Sequence, residues 1–90
     1  MLEIRYSTKF KKDFKAIMKR GYNPKLLEIV LDLLCTEQTL PPKYRDHPLS
    51  GNYEGHRECH ITPDWLLIYK IEQSILTLTL TRTGTHSDLF

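Results

Sequence analysis

Arg57-Glu58-Cys59-His60-Ile61-Thr62-Pro63-Asp64-Trp65-Leu66-Leu67-Ile68-Tyr69-Lys70-Ile71 is the stretch on which the fold turns. Thr62-Pro63-Asp64 has the chemistry of a tight turn with proline at its second position, and the runs on either side suit extended chain. The segment predicts a hairpin. Before the turn, His56, Glu58 and His60 share one face of a strand while Arg57, Cys59 and Ile61 share the other. After it, Trp65 to Ile71 is a nearly continuous apolar run, suited to a central strand.

Downstream, Glu72-Gln73-Ser74 turns the chain again. Ile75 to Thr81 then alternates Leu76, Leu78 and Leu80 with Thr77, Thr79 and Thr81, the period of a third strand. The tail from Arg82 to Phe90 contains Gly84, where a bend is expected. Upstream, Glu37 to Asn52 carries three prolines and Gly51 and reads as irregular chain, each proline fixing its own φ and extending the residue before it. Earlier still come two helices. Ser7 offers an N-cap, and Phe10, Phe14, Ile17 and Met18 fall on one side of a helix ending near Arg20. Gly21 can close it, and Asn23-Pro24 opens a second helix. Leu26, Leu27, Ile29, Val30, Leu31, Leu33 and Leu34 cover more than one stripe of that helix, which predicts the more buried member of an antiparallel pair. Leu2, Ile4 and Tyr6 alternate with Glu3 and Arg5 as in a half-buried strand.

The order is β-α-α-β-β-β in one domain, residues 1–90. Its class is α+β, with two N-terminal helices packed on a small, mainly antiparallel twisted sheet whose other face is left free. With 40% apolar and 27% charged residues, the composition excludes disordered and collagen-like classes. No apolar run reaches the length of a bilayer span and no signal-peptide pattern opens the chain, so a cytoplasmic, membrane-free protein is expected. Cys35 and Cys59 are expected as reduced thiols. The net charge of +2 is unevenly spread: through Lys25 there are eight basic residues and two acids, and beyond it five basic residues and nine acids. A cationic end attracts a polyanion or an acidic protein; a solvated helix face explains it equally well.

Four histidines, His47, His56, His60 and His86, sit among acids and turns. If the strands pair as read, the end of the His60 strand, the turn at Asp64 and the tail after Thr81 converge at one edge of the sheet. Imidazole titrates near neutrality and can both give and take protons, so such a set suits proton transfer. Each residue has a plainer explanation: His47 and Asp64 as turn formers, His60 as a solvated strand residue, His86 as part of a frayed tail. Zinc would draw on the same side chains, but no paired Cys or His spacing supports it. Cys59, facing inward, suits a core role better than a nucleophilic one.

Three blocks in order, Asp46-His47-Pro48-Leu49-x-Gly51, Arg57-Glu58-Cys59-His60-Ile61-x-Pro63-Asp64-Trp65-Leu66-Leu67-Ile68-Tyr69 and Arg82-Thr83-Gly84-Thr85-His86-Ser87-x-Leu89-Phe90, resemble the YafQ branch of the RelE-type toxins. The resemblance runs over nearly the whole chain. It implies a ribosome-dependent endoribonuclease that cuts mRNA in the A site, an mRNA interferase, neutralised by a cognate antitoxin in a hetero-oligomeric complex. His47, His60, Asp64, His86 and Phe90 match the family's catalytic positions. Arg82 matches a position suited to meeting phosphate, and Glu58 stands where the family commonly has Asp.

The implied chemistry needs neither cofactor nor metal, because RNA carries its own nucleophile in the 2′-hydroxyl. The expected roles are His86 as general acid, Asp64 or His60 as base, His47 and Arg82 on the phosphate, and Phe90 stacking on a base. Lys11, Lys12, Lys15 and Lys19 are expected to meet ribosomal RNA, the antitoxin's acidic segment competing for part of that surface. The alternative is a non-catalytic RNA- or protein-binding module that keeps the fold.

Overall fold

The computed structural model describes all residues from 1 to 90. Strand β1 (Glu3–Tyr6) leads into helices α1 (Thr8–Lys19) and α2 (Pro24–Cys35), followed by strands β2 (His47–Pro48), β3 (Arg57–Thr62), β4 (Trp65–Glu72) and β5 (Thr77–Gly84) and a one-turn helix α3 (His86–Leu89). The five strands form one sheet in the order β1-β5-β4-β3-β2. Only β1 runs parallel to its neighbour; the other pairings are antiparallel. The α+β class and the helix-pair-on-sheet architecture stand as read from the sequence.

The local signals explain the helices. Ser7 Oγ accepts the Phe10 amide at 2.9 Å and donates to the Thr81 carbonyl at 2.7 Å, so one cap residue also ties α1 to the sheet. Gly21, at φ +87°, provides the left-handed residue that turns the chain after α1. Asn23 caps α2, and Pro24 occupies its first turn. The main core lies between the helices and one sheet face, joining Phe10, Ile17, Leu27, Val30 and Leu34 to Cys59, Trp65, Leu67, Tyr69, Leu78 and Leu80. Burying each large apolar side chain contributes roughly 1.5–3 kcal/mol. Trp65 also donates from Nε1 to Thr83 Oγ1 at 2.8 Å, and Thr83 Oγ1 donates to the Leu66 carbonyl at 2.7 Å, so this buried indole leaves no polar atom unpaired. As expected, α2 buries more residues than α1, but Leu26 and Ile29 stay 37% and 50% exposed, so its second apolar stripe faces outward.

Four readings need correction. The stretch expected to be irregular contributes β2, because His47 and Pro48 pair with Glu58 and Arg57. The third strand of the meander begins at Thr77 rather than Ile75, since Gln73–Ile75 forms a 3-10 turn and Leu76 takes φ +48° before the strand can start. It runs on to Gly84 because β4 supplies partners as far as Leu66. The tail does not merely bend. It folds into α3, closed by a capping box between Thr85 and Asp88, and Gly84 permits the approach, since a Cβ there would lie 3.0 Å from the Asp88 side chain. Finally, the second sheet face is not left free: Leu66, Ile68 and Leu89 form a small cluster on it, with Leu49 and Tyr53 packed against them.

Candidate functional site

Strand alternation puts Glu58 and His60 on the sheet face away from the helices, and the pairing of β2 with β3 brings His47 opposite Glu58. The three side chains meet. Glu58 Oε1 lies 3.5 Å from His47 Nε2 and 3.8 Å from His60 Nε2. The carboxylate is only 8% exposed and its Oε2 has no hydrogen-bond partner. A buried carboxylate with a free lone-pair face normally costs stability, so its retention between two imidazoles is the strongest chemical feature of the molecule. His47 Nδ1 faces the Arg45 carbonyl at 2.7 Å, and His60 Nδ1 faces the Pro63 carbonyl at 3.4 Å. Both rings therefore turn Nε2 toward the carboxylate. No three His, Cys, Asp or Glu side chains are arranged to hold a metal ion.

A second group stands at the far side of the same face. Glu58 pairs in register with Ile68, and Ile68 with Arg82, so Glu58 and Arg82 are two strand spacings apart, about 10 Å. His60 pairs with Leu66, and Leu66 with Gly84, which leads through Thr85 into α3. On α3 the His86 ring stacks on Phe90 with centroids 5.1 Å apart. Phe90, 56% exposed, meets Tyr53 edge-on at 5.9 Å, and Tyr53 meets His56 at 6.1 Å. The sheet face thus carries His47, Glu58 and His60 toward β2 and Arg82 on β5, and Tyr53, packed on the apolar cluster of that face, brings Phe90 and its stacked His86 beside it.

Asp64 and Arg82 each have a partner outside the His47–Glu58–His60 group. Asp64 accepts from the Tyr22 hydroxyl at 2.8 Å and from Thr62 Oγ1 at 2.9 Å, and forms no hydrogen bond or ion pair with a histidine. The Tyr22 bond, then the Thr62 bond, holds its carboxyl below the usual range. Arg82 donates from Nε and Nη2 to Asp13 at 2.6 and 3.1 Å, so Asp13 already offsets its charge. Lys11, Lys12, Lys15 and Lys19 are exposed on α1, and none joins an ion pair. Cys59 is buried, and desolvation pushes its thiol far up, leaving no reactive thiolate.

Three supporting residues escape a reading of the sequence. Arg20 donates from Nη1 and Nη2 to Asp88 at 2.9 and 3.0 Å, clamping α3 to the end of α1. Asp88, whose carboxyl is held well below the usual range first by Arg20 and then by the Thr85 amide, caps α3 two residues from His86. The capping box was readable as Thr85-x-x-Asp88, but its Arg20 partner lies 68 residues away and leaves no local signal. Tyr53 is the third, an aromatic residue in a loop without period.

Comparison with known proteins accords with this geometry. The family model described as bacterial toxin of type II toxin-antitoxin system, YafQ, matches residues 2–90. The mRNA interferase toxin YafQ of Escherichia coli strain K12 is 42% identical over 89 residues, covering 98% of this chain and 95% of that protein. A metal-bound toxin from Helicobacter pylori superposes with a TM-score of 0.94 at 52% identity, each chain covered in full. The toxin in the Escherichia coli DinJ-YafQ complex superposes with a TM-score of 0.90 at 41% identity, covering 100% of this chain and 99% of that one.

Proposed function

The chain belongs to the YafQ family of bacterial toxins of type II toxin–antitoxin systems, and we propose that it is an mRNA interferase that cuts mRNA on the ribosome by acid–base catalysis without a metal. The observation that carries the reading is the buried Glu58 carboxylate facing the Nε2 atoms of His47 and His60, on the sheet face that also bears His86 and Phe90. The reaction is a transesterification. A base removes the 2′-hydroxyl proton, the 2′-oxygen bonds to phosphorus, the bond from phosphorus to the 5′-oxygen breaks, and an acid returns a proton to that oxygen. The products are a 2′,3′-cyclic phosphate and a 5′-hydroxyl.

His60 suits the base, since its Nδ1 faces the Pro63 carbonyl, which leaves the Nε2 lone pair to take a proton with Glu58 placed to stabilise the imidazolium that forms, whereas Asp64 is committed to Tyr22 and Thr62. Asp64 then acts through the turn that also fixes His60 Nδ1. His86, exposed and stacked on Phe90, is the acid at the opposite side. His47 and the unengaged part of the Arg82 guanidinium stabilise charge on phosphate, and Phe90 stacks on a base. Glu58 keeps both imidazoles in place.

The partners follow from charge and family. Lys11, Lys12, Lys15 and Lys19 meet ribosomal RNA, and an antitoxin with an acidic segment covers part of the same helix in a hetero-oligomer. No helix is long and apolar enough to cross a membrane, and the cytoplasm is the location that the proposed ribosomal target requires. The test is cleavage of ribosome-bound mRNA with and without a chelator. Cutting that survives chelation and is lost in His60→Ala and His86→Ala is expected. Chelator-sensitive cutting would move the chemistry to a metal, and no cutting at all would favour a non-catalytic binding module.

A further inference from the structure

We propose that Asp46 is a positioning residue for cleavage: pinned by Tyr69 and Arg57 on the helix side of the sheet, it sets where the His47 imidazole stands on the other side. The inference rests on His47 belonging to the active site. Strand β2 has two residues, with register pairs only at His47 with Glu58 and Pro48 with Arg57. The chain around it is irregular, with 3-10 turns at Pro42–Tyr44 and Gly51–Tyr53. Backbone pairing this short is a weak hold on a side chain that must be placed to within an ångström.

Asp46 supplies the missing hold. In extended chain, neighbours point to opposite faces, so the carboxylate of Asp46 enters the helix side while His47 projects to the open side. There Asp46 Oδ1 accepts the Tyr69 hydroxyl, and Oδ2 accepts Arg57 Nε at 3.2 Å and Nη2 at 3.0 Å. Tyr69 is 1% exposed on central strand β4, and Arg57 is its register partner on β3. The peg is therefore set in the best-supported part of the sheet. Burial, then the bond to Asp46, pushes the Tyr69 phenol up, so it remains a donor at any working pH. On the other side of the strand, Arg45 takes φ +47° and offers its carbonyl to His47 Nδ1 at 2.7 Å. With Nδ1 committed to a carbonyl, Nε2 is left facing Glu58. Asp46 fixes the strand and the Arg45 carbonyl fixes the ring.

The experiment compares single-turnover rates and KM for ribosome-bound mRNA in Asp46→Ala, Tyr69→Phe, His47→Ala and the double variant His47→Ala/Asp46→Ala. Misplacing a catalytic group by about 1 Å costs up to roughly 10²-fold, so Asp46→Ala should lower turnover by about 10–100-fold with KM within about two-fold. Tyr69→Phe, which keeps the buried ring, should lower it by a smaller factor and serves the same comparison if Asp46→Ala fails to fold. Because Asp46 acts through His47, its loss should cost nothing further in the His47→Ala background. A purely structural role would lower both backgrounds alike, and that result would overturn the inference. So would normal turnover in the Asp46 and Tyr69 variants beside an impaired His47→Ala. Normal turnover in His47→Ala would instead overturn the assignment of His47, and this inference with it.

Discussion

Replacing Glu58 with Gln should make the protein more stable and less active. The side chain is 8% exposed, its Oε1 faces two imidazole nitrogens at 3.5 and 3.8 Å, and its Oε2 is buried without a partner. Gln keeps the volume and an oxygen while removing the charge. An unsatisfied buried polar group costs about 1–3 kcal/mol, more when charged, and Gln removes the charged part of that cost at Oε2. A gain of about 1 kcal/mol raises Tm by roughly 4–8 °C in a domain of this size. Turnover should fall by about 10²-fold, the lower end of what one placed proton-transfer partner contributes, since Glu58 acts through His47 and His60. Thermal unfolding and single-turnover cleavage of ribosome-bound mRNA read the two effects. A variant that is destabilised, or that cuts at the normal rate, would refute the reasoning.

Three further outcomes are expected. His86→Ala should lower turnover by roughly 10²–10⁴-fold with unfolding unchanged, because the side chain is exposed and its ring stacks on the exposed Phe90; near-normal cutting would remove it from the mechanism. Replacing Lys11, Lys12, Lys15 and Lys19 together with Ala should reduce the salt slope of ribosome binding by roughly 3, and an unchanged slope would return α1 to the role of a solvated face. The Asp88 carboxyl lies below its ordinary value when folded, so the α3 clamp contributes stability above pH of about 4 and loses it as pH falls through the lowered value. Arg20→Ala should therefore release α3 at a higher pH, read from the amide resonances of residues 85–90; an unshifted midpoint would separate Arg20 from α3.

Much of the fold was legible because its determinants are local. Ser7, Gly21 and Asn23-Pro24 delimit the helices by capping, and Thr62-Pro63-Asp64 marks the hairpin by turn chemistry. Glu58 and His60 share a face for the same reason any i, i+2 pair does. What escaped is non-local. His47-Pro48 becomes a strand only because β3 offers an edge, since proline and a two-residue length give no propensity for one. Tyr53, Leu49 and Leu89 cover the second sheet face from loops and a tail whose apolar residues have no period. Arg82 has a visible place in a motif, but the Asp13 carboxylate that engages part of its guanidinium lies 69 residues away in the chain. Arg20 and Tyr22 flank the one glycine of the helix turn, and only the folded chain shows that they hold the two segments carrying Asp88 and Asp64.

The central claim is that this face moves protons across a ribonucleotide linkage, and the chemistry of the cut ends tests it most directly. Message cleaved on the ribosome by the purified protein in the presence of chelator should carry a 2′,3′-cyclic phosphate, or the 3′-phosphate left by its hydrolysis, upstream and a 5′-hydroxyl downstream that a polynucleotide kinase labels without prior dephosphorylation. Fragments bearing a 5′-phosphate and a 3′-hydroxyl would mean that water, not the 2′-oxygen, attacked phosphorus, and would contradict the account.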